Sequence, residues 1–256
     1  MNIYIIGASK GIGAGIAEAF AKLGHNLFLA SRDMEGLIKF SAEISQKYQV
    51  ECNYNYVDVS DKLAISNSFQ KCLDKIGTPD IVIYNSGISR TDDFNNFDAQ
   101  VIKDVFRVNF TGMLDAMEAI LPTLLKADKE VIFAGTSSLA ECRGLPGNAG
   151  YTASKIAASH VLEAARCQLY NSNVKIITIK PGFVHTNMTN KNQFPMPMVI
   201  NADRAGEIIV DGLLKGKSIV AFPKLIQFFT WFAKSIPSII YDNVMKHWTK
   251  KKILQD

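Results

Sequence analysis

Tyr151 and Lys155 stand four positions apart in the stretch Ala-Gly-Tyr-Thr-Ala-Ser-Lys-Ile at residues 149–156. On a helix that spacing stacks both side chains on one face. A phenol is a poor proton donor or acceptor near neutral pH, with an unperturbed pKa of about 10. An ammonium a few ångströms away favours the phenolate and draws that pKa down. The two residues are therefore a candidate acid/base pair. Tyr-x-x-x-Lys also occurs on ordinary solvated helix faces, so the reading depends on where the chain places its glycines, serines and asparagines.

Residues 2–6 are a short apolar run that ends in Gly7-Ala8-Ser9-Lys10-Gly11-Ile12-Gly13. Ile12, Ile16, Phe20 and Leu23 then recur at helical spacing, and Gly24 is placed to close the helix. Strand, glycine loop and helix are the layout of a dinucleotide site. Glycines let the backbone approach a pyrophosphate, and the helix start offers free N–H groups and a positive dipole end. A glycine-rich turn that binds nothing is the plainer alternative. The spacing Gly-x-x-x-Gly-x-Gly differs from the common Gly-x-Gly-x-x-Gly fingerprint and resembles the short-chain dehydrogenase/reductase family.

Further matches to that family accumulate along the chain. Residues 26–30 form a second strand, followed by Ser31-Arg32-Asp33. An acid directly after this strand would favour the ribose hydroxyl of NAD(H). Ser31 stands there instead, with Arg32 beside it and Lys10 in the glycine loop, and two cations suit a phosphate. NADP(H) is expected, with NAD(H) the alternative if Asp33 reads the ribose. Asp33 is otherwise read as the N-cap of the next helix. A third strand at 51–57 leads to Asp58-Val59, which the resemblance places at the adenine; alternatively Asp58 only orders the turn, with Asp61 a helix cap. A fourth strand at 80–84 leads to Asn85-Ser86-Gly87, where the family usually shows Asn-Ala-Gly.

Phe106, Phe110, Met113, Met117, Ile120 and Leu124 mark a long helix, with Asn109 off its apolar stripe. A tolerated polar residue on a part-exposed face is the plain reading; the resemblance makes Asn109 a catalytic residue that helps hold a water near Lys155. A fifth strand at 130–136 leads to Ser137-Ser138, and Ser138 precedes Tyr151 by the thirteen residues the family shows. Cys142 and Arg143, in the loop between them, are candidate substrate neighbours. A sixth strand at 174–179 ends in Pro181-Gly182-Phe183-Val184-His185-Thr186, which resembles the family's loop over the nicotinamide. His185 is read as solvated or packing. Residues 189–201, with Phe194, Pro195, Met196, Pro197 and Met198, match the family's substrate lid, and their apolar content favours a substrate with hydrocarbon bulk, unless the loop only packs on itself.

The resemblance, which spans about residues 1–222, thus implies a catalytic set of Asn109, Ser138, Tyr151 and Lys155. The cofactor would meet Gly7, Ser9, Lys10, Gly11, Ile12 and Gly13 in the first loop, then Ser31, Arg32, Asp58, Val59, Asn85 and Gly87. Tyr151, Lys155, Pro181, Gly182, Val184 and Thr186 would complete its site. The implied fold is α/β: a Rossmann-type, doubly wound, mainly parallel sheet of about seven strands with helices on both faces. The implied activity interconverts a carbonyl and a secondary alcohol by hydride transfer, with the tyrosine as acid/base. A non-catalytic dinucleotide sensor or scaffold, and a membrane-peripheral lipid-carbonyl reductase, are the rivals.

At 256 residues, with 48% apolar and 20% charged residues and no low-complexity divider, one large domain is expected. A net charge of +4 is too modest to argue for nucleic acid. The four cysteines lack metal or redox spacing and read as reduced, mostly buried thiols of a cytoplasmic protein; no metal site and no signal peptide are expected. A homodimer or homotetramer is the family's habit. Residues 223–256 depart from the family's tetrameric branch. Leu225, Phe228, Phe229 and Phe232 recur at helical spacing, Pro237 interrupts, and Ile240, Val244 and Trp248 continue. This helical extension is too short and broken to span a bilayer. It packs on the core or pocket, joins subunits, or lies on a membrane surface with Lys246, Lys250, Lys251 and Lys252 near anionic lipid.

Overall fold

The computed structural model describes residues 1–189 and 196–253, with side chains described through Lys246. Seven strands form one sheet: β1 (Asn2–Ile6), β2 (Asn26–Ser31), β3 (Cys52–Tyr56), β4 (Ile81–Tyr84), β5 (Val131–Thr136), β6 (Val174–Pro181) and β7 (Ile219–Phe222). Their order is β3-β2-β1-β4-β5-β6-β7, and every neighbouring pair is parallel. Parallel sheets are covered on both faces, and the strands show it. In β1, Ile3 and Ile5 enter one core while Tyr4 and Ile6 enter the other, following the two-residue period of a strand. The first core is completed by α1 (Gly11–Lys22), α2 (Met34–Tyr48) and α7 (Ala202–Leu214). The second is completed by α3 (Lys62–Ile76), α5 (Gly112–Leu124) and α6 (Ala149–Gln168).

The strand order reverses between β1 and β4. In such sheets a ligand crevice opens beyond the carboxyl ends of the strands at that switch point. Gly7 follows β1 there and Asn85 follows β4. Local chemistry starts the helices as expected: Asp33 accepts from the Gly36 amide at 3.1 Å and Asp61 from the Leu63 amide at 2.9 Å. The start of α1 differs. Lys10 precedes it without a side-chain cap, and its first turn holds no acid.

Two elements depart from expectation. The single helix read around Asn109 is α4 (Ala99–Phe106), a π-helical turn at Arg107–Thr111, then α5. The C-terminal extension forms α8 (Lys224–Ser235) and α9 (Ser238–Ile253), with the break at Pro237 as read. However, α8 buries no residue: Leu225, Phe228, Phe229 and Phe232 face outward. The thiols also differ, since Cys72 is buried but Cys52 and Cys142 are half-buried and Cys167 is exposed. No helix among the described residues is long and apolar enough to cross a membrane.

Candidate active site

The glycine loop, the ends of β4, β5 and β6, and the first turn of α6 surround one cleft. The loop is held by contact rather than by choice of turn alone. A Cβ on Gly13 would lie 1.9 Å from the Gly7 carbonyl oxygen, so only glycine lets the helix start fold back on the strand end. Asn85 ties three strand ends together. Its Nδ2 donates to the Gly7 carbonyl at 3.1 Å, and its Oδ1 accepts from Thr136 Oγ1 at 3.2 Å.

Ser138, Tyr151 and Lys155 line this cleft together. Ser138 starts a short 3₁₀ turn (Leu139–Cys142) and accepts from the Ala140 amide at 3.1 Å. Burial raises the Tyr151 pKa, and a hydrogen bond with the Ser138 hydroxyl pulls part of that back. The net shift is upward, which corrects the expectation that the lysine draws it down. Lys155 Nζ lies 5.8 Å from the centre of the Tyr151 ring and donates to the Thr136 carbonyl at 2.8 Å. Lys155 is 3% exposed, and that burial pushes its pKa down to about 8, while Glu141 acts the other way. One of its three N–H bonds goes to Thr136, which leaves two for a ligand. A Cβ on Gly87 would stand 3.3 Å from that Nζ and 3.4 Å from Asn109 Oδ1, so the glycine keeps the lysine head uncovered.

Asn109 does not sit on a part-exposed face: it is 1% exposed, inside the π turn. Its Oδ1 accepts from the Ile88 amide at 2.7 Å, and its Nδ2 donates to the Ile88 carbonyl and Ser154 Oγ, each at 3.0 Å. Ser154 in turn donates to the Tyr151 carbonyl at 2.8 Å. Asn109 thus joins the loop after β4 to α6. The π turn carries it there, as such turns often do at functional sites. The Tyr84 hydroxyl braces the same turn by donating to the Val108 carbonyl.

At the β2 end of the cleft, Ser31 donates to Ser9 Oγ at 2.8 Å, and Arg32 and Lys10 line the wall. Both cations are exposed and only loosely paired, Arg32 with Asp58 and Lys10 with Asp33, each at 3.8 Å. Asp33 is engaged as the cap of α2. Asp58 is not part of the cleft wall, whereas Val57 and Val59 are. Burial opposes the Asp58 charge, but the Ser60 amide and hydroxyl, with Arg32 and Arg107, hold its pKa below the usual range. Pro181, Gly182, Val184 and Thr186 line the far side with Met188 and Thr189. His185 is exposed, as read. Phe194 and Pro195 of the expected lid lie outside the described residues.

Several residues escaped sequence reasoning. Glu141, 4% exposed at its side chain, pairs with Lys180 at 2.7 Å and accepts from Ser159 at 3.2 Å and from Ser137. Ser137 also lies 2.8 Å from the Lys155 carbonyl, so it serves this buried group, not the substrate side. Lys234 of α8 reaches Glu141 at 3.8 Å. Asp92 caps α6 from far along the chain, accepting from the Gly150 amide at 3.0 Å. A lone acid in a loop rich in small residues was the only mark of Glu141. Arg143 is not in the cleft wall: it donates to the Ile236 carbonyl at 3.1 Å and stacks on Tyr241 at 4.3 Å.

A family profile described as short chain dehydrogenase matches residues 1–195. An uncharacterized oxidoreductase of Myxococcus xanthus (strain DK1622) is 31% identical over 238 residues, covering 93% of each chain. An alcohol dehydrogenase of the archaeon Thermococcus sibiricus, solved with 5-hydroxy-NADP, has TM-score 0.77 and 26% identity, covering 87% of this chain and 96% of its own. A short chain dehydrogenase/reductase of Burkholderia phymatum, solved with NAD, shares the fold with TM-score 0.82 at 20% identity, covering 90% of this chain and 91% of its own.

Proposed function

The chain belongs to the short-chain dehydrogenase/reductase family, and on that premise we propose that it is an oxidoreductase that interconverts a carbonyl and a secondary alcohol with NADP(H). The observation that carries this reading is the buried Lys155 sharing one cleft wall with Tyr151 and Ser138. The chain's own features fit a nicotinamide dinucleotide. The start of α1 is uncapped above a glycine loop with no room for side chains, and the lysine head is left clear by Gly87. The bound dinucleotide supplies or accepts the hydride.

Everything else falls to this chain. Ser138 and Tyr151 hold the substrate oxygen. Burial keeps the phenol protonated through neutral pH, which suits donation of its proton to the oxygen in reduction. The phenolate left behind is stabilised by the Ser138 hydroxyl and the Lys155 ammonium. Lys155 offers its two remaining N–H bonds to the ribose hydroxyls. Asn109 positions α6 against the β4 loop and so fixes where Tyr151 and Lys155 stand. Arg32 and Lys10 would exchange their loose carboxylate partners for a 2′-phosphate. The solved relatives carry both kinds of dinucleotide; Arg32, Lys10 and the engagement of Asp33 as a cap support NADP(H) here. Residues 1–222 would form the oxidoreductase unit and 223–256 an extension of it. Assembly through the faces of α4 and α6 as a homodimer or homotetramer follows the family's habit.

The test is a titration of the full chain with NADPH and NADH, followed by turnover on a panel of ketones graded by chain length. NADPH is expected to bind at least tenfold more tightly, and Arg32→Ala to remove most of that preference. Tyr151→Phe is expected to lower turnover by about 10²–10⁴ while leaving NADPH binding nearly intact. Preference for NADH would overturn the phosphate reading, and near-normal turnover of Tyr151→Phe would overturn the mechanism.

A further inference from the structure

Helix α8 is mounted with its bulkier apolar side toward solvent. Ile226, Thr230 and Ala233 are half-buried against the body. Leu225, Phe228, Phe229, Trp231 and Phe232 are between 51% and 66% exposed. At about 150–250 Å² a ring, the four aromatics alone offer roughly 400 Å² of apolar surface. That alone equals the largest apolar patch of an ordinary soluble monomer, about 300–600 Å² and often functional, before Leu225 is added. The adjoining α9 continues the surface with Ile239, Ile240 and Val244.

The charge of the chain is divided to match. The whole sequence has 28 basic and 24 acidic residues. Residues 223–256 hold six lysines and two aspartates, which leaves the first 222 residues with 22 of each sign. The entire net charge of +4 therefore resides in the extension. Lys224 and Lys234 stand at the two ends of α8, which contains no acid. Lys234 already meets Glu141 at 3.8 Å, but a two-fold contact between copies would still bring together two extensions of net charge +4, whereas an anionic surface would take up that charge with the aromatics.

We propose that α8 and its continuation dock this protein on an anionic lipid bilayer. Leu225, Phe228, Phe229, Trp231 and Phe232 enter the boundary between headgroups and acyl chains, and the net positive charge of the extension is drawn to the lipid charge. The docked helix stays joined to the body: Lys234 meets Glu141, Arg143 holds the Ile236 carbonyl, and the Tyr241 hydroxyl donates to the Gly144 carbonyl at 2.6 Å. The surface does not depend on which dinucleotide the cleft takes.

The test is flotation of the full chain with vesicles of phosphatidylcholine alone and with three parts phosphatidylcholine to one part phosphatidylglycerol. Both tryptophans of the chain, Trp231 and Trp248, lie in the extension, so tryptophan emission, excited apart from the tyrosines, reports on it alone. In a Trp248→Phe protein, the Trp231 emission should shift to the blue on adding the mixed vesicles. At least tenfold more protein should float with the mixed vesicles than with phosphatidylcholine, and high salt should release it. Phe228→Gln/Phe229→Gln/Phe232→Gln should stay at the bottom of the gradient with an unchanged melting temperature. Absence of flotation on the mixed vesicles, or equal flotation of the triple variant, overturns the proposal. A dimer in light scattering that the triple variant converts to monomer, without flotation of either protein, also overturns it and gives the face to a second copy.

Discussion

Lys155 carries its charge where a charge is costly. Burial lowers its pKa from 10.5 to about 8, so below about pH 8 both folded and unfolded chains hold the proton and the folded state bears the full penalty. Between about pH 8 and 10.5 the unfolded chain still binds the proton that the folded one has released, and stability rises with pH across that window. Lys155→Met should therefore be more stable than the parent at pH 7, by about 1–3 kcal/mol once the lost bond to Thr136 is counted. The difference should shrink as pH climbs toward 10. Urea unfolding at several pH values measures this, and a variant that is less stable at pH 7 refutes it. On the proposed mechanism the same variant loses nearly all turnover, so stability and activity are opposed at this residue.

At the scale of elements, the π turn and the 3₁₀ turn do the positioning. The π turn swings Asn109 off the surface and into bonds with Ile88 and Ser154. The 3₁₀ turn places Ser138 toward the cleft and Glu141 beneath it, where the carboxylate joins β6 through Lys180 and α6 through Ser159. Removing one partner of a buried ion pair strands the other. Glu141→Ala leaves Lys180 uncompensated at 16% side-chain exposure and should cost about 3–5 kcal/mol in urea unfolding. Glu141→Gln keeps hydrogen bonds to the serines but removes the charge that supports the Lys155 ammonium. The alkaline limb of its pH–rate profile should move to lower pH, a shift that mere loosening of the loop would not produce. An unmoved limb with a normal fold would separate Glu141 from the lysine.

At the scale of the molecule, the two cores and the extension differ in kind. Both sides of the sheet are closed by helices with fully buried apolar residues, while α8 contributes none. Deleting residues 223–256 should therefore lower the melting temperature by only a few degrees. It also removes the groups that hold the loop after Ser138, namely Lys234, the Ile236 carbonyl and Tyr241. The truncated protein should thus retain NADPH binding but show a raised KM for bulky ketones. A fall of ten degrees or more in scanning calorimetry would mean that the extension belongs to the core after all.

The sheet was legible from the chain because most strands are short apolar runs, β3 with its Cys-Asn-Tyr-Asn-Tyr being the exception, and β1 is followed by glycines that a close backbone approach requires. Helical spacing paired Tyr151 with Lys155, and the family resemblance added Ser138; the three do line one cleft. Asp33 and Asp61 could be read as caps because a cap bonds within two or three residues of itself. What the sequence could not carry were contacts between distant residues: Asp92 with Gly150, Glu141 with Lys180, Asn109 with Ile88 and Ser154. No local period marks a π turn, and a buried acid in a loop has the same letter as a solvated one. The sign of the Tyr151 shift also depended on tertiary burial, which outweighs the lowering influence of the Ser138 hydroxyl. The periodicity of Leu225, Phe228, Phe229 and Phe232 established that α8 has an apolar stripe, but a stripe has no direction until the helix is docked. Packing settled that by setting Ile226, Thr230 and Ala233 against the body and leaving the larger side chains outside.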